Sequence, residues 1–133
     1  MGGSSVRLLL DTHTILWWWT NDSQLSSEAR GAIADERNQI MVSAATAWEL
    51  GIKQRIGKLA NIPPIAERYA GLLAADGFLA LPMTHQHALR AAGFEHPHRD
   101  PFDRMLAAQS ALERLTLVTR DSAFIGFPCT TLW

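Results

Sequence analysis

Apolar positions along this chain come as short runs alternating with stripes at helical spacing. Val6 to Leu10 is a short apolar run closed by Asp11, and it predicts a buried strand. Thr12 to Thr20 has helical composition and carries Trp17, Trp18 and Trp19. Ser26 or Ser27 can cap a helix to about Arg37, with Glu28 in its first turn. Gln39 to Val42 predicts a second strand. Ser43 can cap the next helix, where Ala45, Trp48, Ile52, Ile56 and Leu59 recur at helical spacing.

Asn61-Ile62-Pro63-Pro64 is a break, after which Pro64 opens a helix to about Ala75. Ile65, Tyr69 and Leu72 or Leu73 are its inward residues, and Asp76-Gly77 closes it. Phe78 to Leu81 is a third strand. Thr84 caps a short helix ending at Gly93, and Phe94 to Arg99 is a loop with His96 and His98. Asp100-Pro101 starts a helix with Phe102, Met105, Leu106, Gln109 and Leu112 on one face. Thr116 to Thr119 is a fourth strand, Asp121 to Phe124 a turn or short helix, and Thr130 to Trp133 an edge strand.

This alternation predicts an α/β fold with a central, mostly parallel sheet of four or five strands covered on both faces. No repeat, linker or low-complexity tract divides the chain, so residues 6–133 are expected to form a single domain. Residues 1–5, Met-Gly-Gly-Ser-Ser, are expected to be a flexible tail or a cloning remnant. With 47% hydrophobic and 19% charged residues, the composition excludes a disordered chain. No apolar run is long enough to span a bilayer, and the N-terminal run lacks a signal-peptide cleavage site. The single cysteine, Cys129, cannot make an intrachain disulfide, and a reducing cytoplasm is the expected location. The net charge of -1 gives no global case for or against binding a polyanion.

The acids carry the chemistry. In parallel sheets, sites lie beyond the carboxyl ends of the strands. Asp11 ends the first strand, and Asp121 follows the fourth. Glu49 lies in the second turn of the helix after the second strand, and Asp103 in the first turn of a later helix. Far apart in sequence, they can converge at that edge. Clustered carboxylates repel one another, and a divalent cation resolves the conflict. Oxygen donors suit Mg²⁺ or Mn²⁺, and no HExxH motif or cysteine pair argues for zinc. Asp103 has a second reading, because Asp100, Pro101 and Asp103 also form a helix-start pattern.

Four segments now stand in order: Leu8-Leu9-Leu10-Asp11-Thr12-His13, Ser43 to Leu50, His98 to Gln109 with its Asp103-Arg104 pair, and Leu117-Val118-Thr119-Arg120-Asp121. Together they resemble the PIN-domain family, specifically the VapC-type toxins of bacterial toxin–antitoxin pairs. The resemblance implies a three-layer α/β/α fold, dependence on Mg²⁺ or Mn²⁺, endoribonuclease activity and inhibition by a VapB-like antitoxin. It assigns the catalytic acids to Asp11, Glu49, Asp103 and Asp121, with Asp11 and Asp103 holding the main ion. Thr119 matches the small hydroxyl residue near the metal, Thr12 follows the first acid, and Arg104 is a candidate phosphate or supporting contact. Phe94-Glu95 stands where a Leu-Pro pair is expected and affects only local loop shape.

The resemblance also implies a homodimer, for which the tryptophan run could supply surface, and no direct role on DNA or at a membrane is expected. Hydrolysis by metal-activated water would leave a 5′-phosphate and a 3′-hydroxyl. His13 could touch substrate, His96 and His98 are expected to make loop hydrogen bonds, and Lys53, Arg55 and Lys58 could guide RNA. The alternatives are a catalytically silent PIN-like binding module and a PIN nuclease of RNA processing; the short chain, with no appended domain, favours the toxin. A haloacid-dehalogenase-type phosphatase is disfavoured because Asp11-Thr12-His13-Thr14 lacks the second acid of D-x-D-x-T.

Overall fold

A computed structural model describes residues 5–59 and 61–133. Residues 1–4 of the expected tail lie outside the described residues. Five strands form one sheet: β1 (Arg7–Leu10), β2 (Gln39–Ser43), β3 (Leu79–Leu81), β4 (Thr116–Val118) and β5 (Thr131–Leu132). Their order is β3-β2-β1-β4-β5, and every pairing is parallel. The mostly parallel sheet expected from the alternation is therefore parallel throughout. The helices are α1 (Thr12–Trp19), α2 (Ser27–Ala34), α3 (Ala44–Arg55), α4 (Ile65–Asp76), α5 (His85–Gly93) and α6 (Pro101–Glu113).

β1 shows why the sheet needs cover on both sides. Side chains alternate faces along a strand. Leu8 and Leu10 enter one core with Ile15, Ile33, Leu50 and Leu73, while Leu9 enters another with Leu106, Ala107, Leu117 and Phe127. Helices α1 to α4 cover the first face and α6 the second, which gives three α/β/α layers. Ala107 and Ala108 are fully buried, and their small side chains bring α6 close to the sheet.

The caps follow the sequence closely. Ser26, Ser43 and Thr84 each accept a bond from the first turn of their helix. Gly77 ends α4 at φ 71°, a conformation that suits glycine. Other boundaries differ from expectation. α2 stops at Ala34 because the Asp35 carboxylate accepts the Arg37 amide at 3.0 Å, a local turn that competes with helix continuation. Of the expected apolar stripe of α3, Ala45 is buried but the rest of the buried face lies elsewhere. Trp48 is 58% and Ile56 51% exposed, and the buried residues are Ala45, Thr46 and Leu50. That rotation carries Thr46 and Glu49 toward Thr12 at the end of β1. On α6, Leu112 is exposed while Leu106 through Ser110 are buried, because α6 packs between the sheet and α5.

Among the described residues, no helix is long and apolar enough to cross a membrane.

Candidate active site

The strand order fixes where a site can form. From β1 the chain builds outward to β2 and β3, then returns to place β4 on β1's other side. The crevice between β1 and β4 is a topological switch point, the preferred ligand position in such sheets. Leu10 pairs with both Val42 and Val118, so the next residues, Asp11, Ser43 and Thr119, share the carboxyl edge.

Asp11 is only 5% exposed. It caps α1, its carboxylate accepting the Thr14 amide at 2.8 Å and a hydrogen bond from the Thr119 hydroxyl, while the Thr14 hydroxyl donates to the Val118 carbonyl at 2.8 Å. Burial outweighs these bonds and holds the Asp11 carboxyl above its ordinary value. The Thr119 hydroxyl also accepts the Asp121 amide at 3.0 Å, tying the two acids together. Thr12 donates its hydroxyl to Glu49 Oε1 at 2.5 Å. Lys53, one turn along α3, lies 3.5 Å from Glu49 Oε2.

Asp103 arrives on the first turn of α6. Asp100 is the helix N-cap, its carboxylate accepting the Phe102 and Asp103 amides at 2.8 and 3.2 Å. The Asp103 side chain is free of that duty and meets His98 Nε2 at 2.8 Å. Burial raises the Asp103 carboxyl to about 6; the His98 hydrogen bond opposes the rise, and the charges of Asp100 and Asp121 add to it. Asp121 is exposed and caps the 3₁₀ turn Ser122–Phe124 through the Ala123 amide at 2.9 Å.

These acids meet at one place. A cavity of about 290 Å³ is lined by Asp11, Thr12, His13, Glu49, Lys53, Asp100, Asp103 and Asp121. A second, of about 490 Å³, shares Asp11, His13 and Asp121 and continues to Trp17, Gln24, Arg120 and Ser122. Asp11, buried, and Asp103, partly buried, have no lysine or arginine partner among the described residues. A cation of hard oxygen preference would relieve that uncompensated charge. No three His, Cys, Asp or Glu side chains among the described residues form a ready-made cage. The acids instead surround open space, which suits an ion that keeps several of its waters.

Arg104 does not line this cavity, and of the two roles the sequence left open, phosphate contact or support, its bonds are those of a supporting residue. Its guanidinium donates to the carbonyls of Ala91, Phe94, His96 and His98 at 2.9, 2.6, 3.0 and 2.9 Å. It clamps the loop that delivers His98. His96 stacks on Phe127 at 3.9 Å between centroids and bonds the Ile125 carbonyl. Arg55 and Lys58 line neither cavity. Sequence reasoning missed the His98–Asp103 contact and the placement of Arg120 and Gln24. The five-residue offset of His98 from Asp103 across a helix start was the one available signal for the first.

The PIN domain family model matches residues 8–127. Ribonuclease VapC16 of Mycobacterium tuberculosis is 38% identical over 69 residues, a match covering 50% of this chain and 49% of that protein. Solved structures with the same fold include a toxin–antitoxin complex from Klebsiella pneumoniae (TM-score 0.66, 20% identity, 95% of this chain and 96% of that one). DNA-bound VapBC from Salmonella typhimurium is similar at a TM-score of 0.68 and 18% identity, covering 96% of this chain and 97% of that one. VapBC2 from Rickettsia felis, bound to a promoter DNA fragment, matches at 0.68 and 14%, covering 96% and 98%. The structural matches speak for the fold, and the family model reaches from β1 past the last acid to Phe127: this chain belongs to the PIN-domain family.

Proposed function

We propose that this chain is the toxin of a toxin–antitoxin pair, an endoribonuclease that depends on Mg²⁺ or Mn²⁺. One observation carries the reading: Asp11, Glu49, Asp103 and Asp121, remote in sequence, line one cavity at the switch point of the sheet. The ribonuclease name of the Mycobacterium relative and the toxin–antitoxin complexes among the structural neighbours support it. The same neighbours support an antitoxin as protein partner. A homodimer, cytoplasmic location and a single nuclease domain over residues 6–133 complete the proposal.

Asp11 and Asp103 would hold the ion, with Glu49 and Asp121 completing its surroundings directly or through water. A bound Mg²⁺ or Mn²⁺ would supply Lewis-acid polarisation of the phosphodiester and acidify a water molecule. The protein's own contribution is placement. Thr119 fixes Asp11 and ties it to Asp121, Thr12 fixes Glu49, and His98 fixes Asp103. Arg104 acts at one remove, through the loop it clamps. His98 is engaged with Asp103, which leaves no pair of free histidines at the cavity for ribonuclease chemistry through a 2′-hydroxyl.

Mapping the ends of RNA fragments tests this chemistry. Hydrolysis by water leaves a 5′-phosphate and a 3′-hydroxyl, and 2′,3′-cyclic phosphate ends would overturn it.

A further inference from the structure

The larger cavity continues away from the acids along a wall they do not explain. The Arg120 guanidinium sits over Trp17, its Cζ 4.6 Å from the ring centroid. Its Nη2 donates to Gln24 Oε1 at 2.7 Å, and it has no carboxylate partner among the described residues. Trp17 is itself braced edge-on by Trp133 at 5.8 Å and flanked by the His13 ring at 5.6 Å. Asp11, His13 and Asp121 line both cavities, so this wall adjoins the acids.

A buried arginine usually has an anion to neutralise. Here an exposed one is held rigidly on an aromatic face by a neutral amide. Holding Arg120 in place removes rotamer entropy before any ligand arrives, so little ordering cost remains for binding. An aromatic ring carrying a guanidinium offers two things to one ligand: a flat face for stacking and a positive charge for a phosphate. The Gln24 amide nitrogen has no partner among the described residues and adds a donor at the same edge. The space of about 490 Å³ is of the size that holds small ligands. Arg120 is also the one arginine or lysine among the residues lining it, in a cavity that otherwise carries carboxylates.

We propose that Trp17 and Arg120 form a nucleobase subsite, which holds one unpaired base of an RNA strand next to the phosphodiester at the acids. Trp17 and Arg120 supply the stack, Arg120 the contact to the adjoining phosphate, and Gln24 a hydrogen bond to the base edge. The subsite requires the base out of a helix, because paired bases have no free face. This inference rests on the nuclease reading for the meaning of its neighbour, but it is tested by binding.

The experiment is fluorescence anisotropy with a short unstructured RNA oligonucleotide in EDTA, where no cleavage is expected. Parallel probes carry one abasic site at successive positions, and a matched RNA duplex serves as a third. Trp17→Ala is expected to weaken single-strand binding about tenfold, Trp17→Phe to retain most of it, and Arg120→Gln to weaken it and flatten its salt dependence. One abasic position should weaken wild-type binding and leave Trp17→Ala unchanged, and the duplex should bind least. Circular dichroism confirms the fold of each variant, and Arg120→Gln, on an exposed residue, stands in if Trp17→Ala does not fold.

Variants that bind RNA as tightly as wild type, with no abasic position mattering, overturn the subsite even if RNA is cut normally in Mg²⁺. Binding that depends on Trp17 without any cleavage in Mg²⁺ or Mn²⁺ overturns the nuclease reading and leaves the subsite standing.

Discussion

His98 Nε2 lies 2.8 Å from Asp103 Oδ2, so a loop residue holds one of the acids proposed to bind the ion. Outer contacts of this kind orient a metal ligand and typically change ion affinity by about 10- to 100-fold when removed. His98→Ala is expected to raise the Mg²⁺ concentration needed for half-maximal cleavage by about tenfold, with the melting temperature little changed. A metal titration of cleavage checks it. An unaltered titration would mean that His98 only shapes the loop.

Asp103 also predicts a dependence of stability on pH. Its carboxyl is raised from 3.8 to about 6 in the fold, chiefly by burial. Between those values the native state holds more protons than the unfolded state, so stability falls as pH rises through that interval. Above pH 6 the ionised, partly buried side chain costs about 1–2 kcal/mol after allowance for its residual exposure. Without divalent ions, Asp103→Asn should therefore be more stable than wild type near neutral pH. The gain should disappear below the ordinary carboxylate value of 3.8. Urea melts at both extremes measure this. Adding Mg²⁺ should then stabilise wild type and not the variant.

Arg104 gives a prediction of a different kind. Four carbonyls, one at the end of α5 and three in the loop after it, converge on its guanidinium. Arg104→Met leaves them without a shared donor and should lower stability by about 2 kcal/mol or more. Urea denaturation reads the loss. Arg104→Lys should not restore it, because an ammonium cannot present the planar fork that reaches all four.

The strands and caps were legible because each is written locally, whereas Glu49 and Asp103 stood out only through the family resemblance of their flanking residues. Leu8-Leu9-Leu10-Asp11 announces a buried strand ending in a carboxylate, and Ser26, Ser43, Thr84 and Asp100 announce helix starts. What local patterns cannot show is which face of a helix meets its neighbour. The α3 stripe through Trp48 and Ile56 had the right period and the wrong orientation, because contact with Thr12 decides the rotation of α3. Trp48 packs edge-on against Phe102 at 5.0 Å and stays largely exposed. Arg104 follows an acid in sequence, but a helix sends adjacent side chains in different directions, and its guanidinium bonds nearby carbonyls instead of lining the cavity. Asp100 and Asp103 divide the two roles the sequence left open: Asp100 caps, while Asp103 points to His98 and the cavity.

The most direct test of the central claim is RNA cleavage by wild type and Asp11→Asn across a Mg²⁺ titration, with the fold of both confirmed by circular dichroism. Asparagine keeps the size of Asp11 and can still accept the Thr14 amide that caps α1. The account predicts cleavage by wild type that rises with Mg²⁺ and stops in excess EDTA, and no cleavage by a folded Asp11→Asn at any Mg²⁺ concentration. Wild-type rates in Asp11→Asn, or undiminished wild-type cleavage in EDTA, would contradict it.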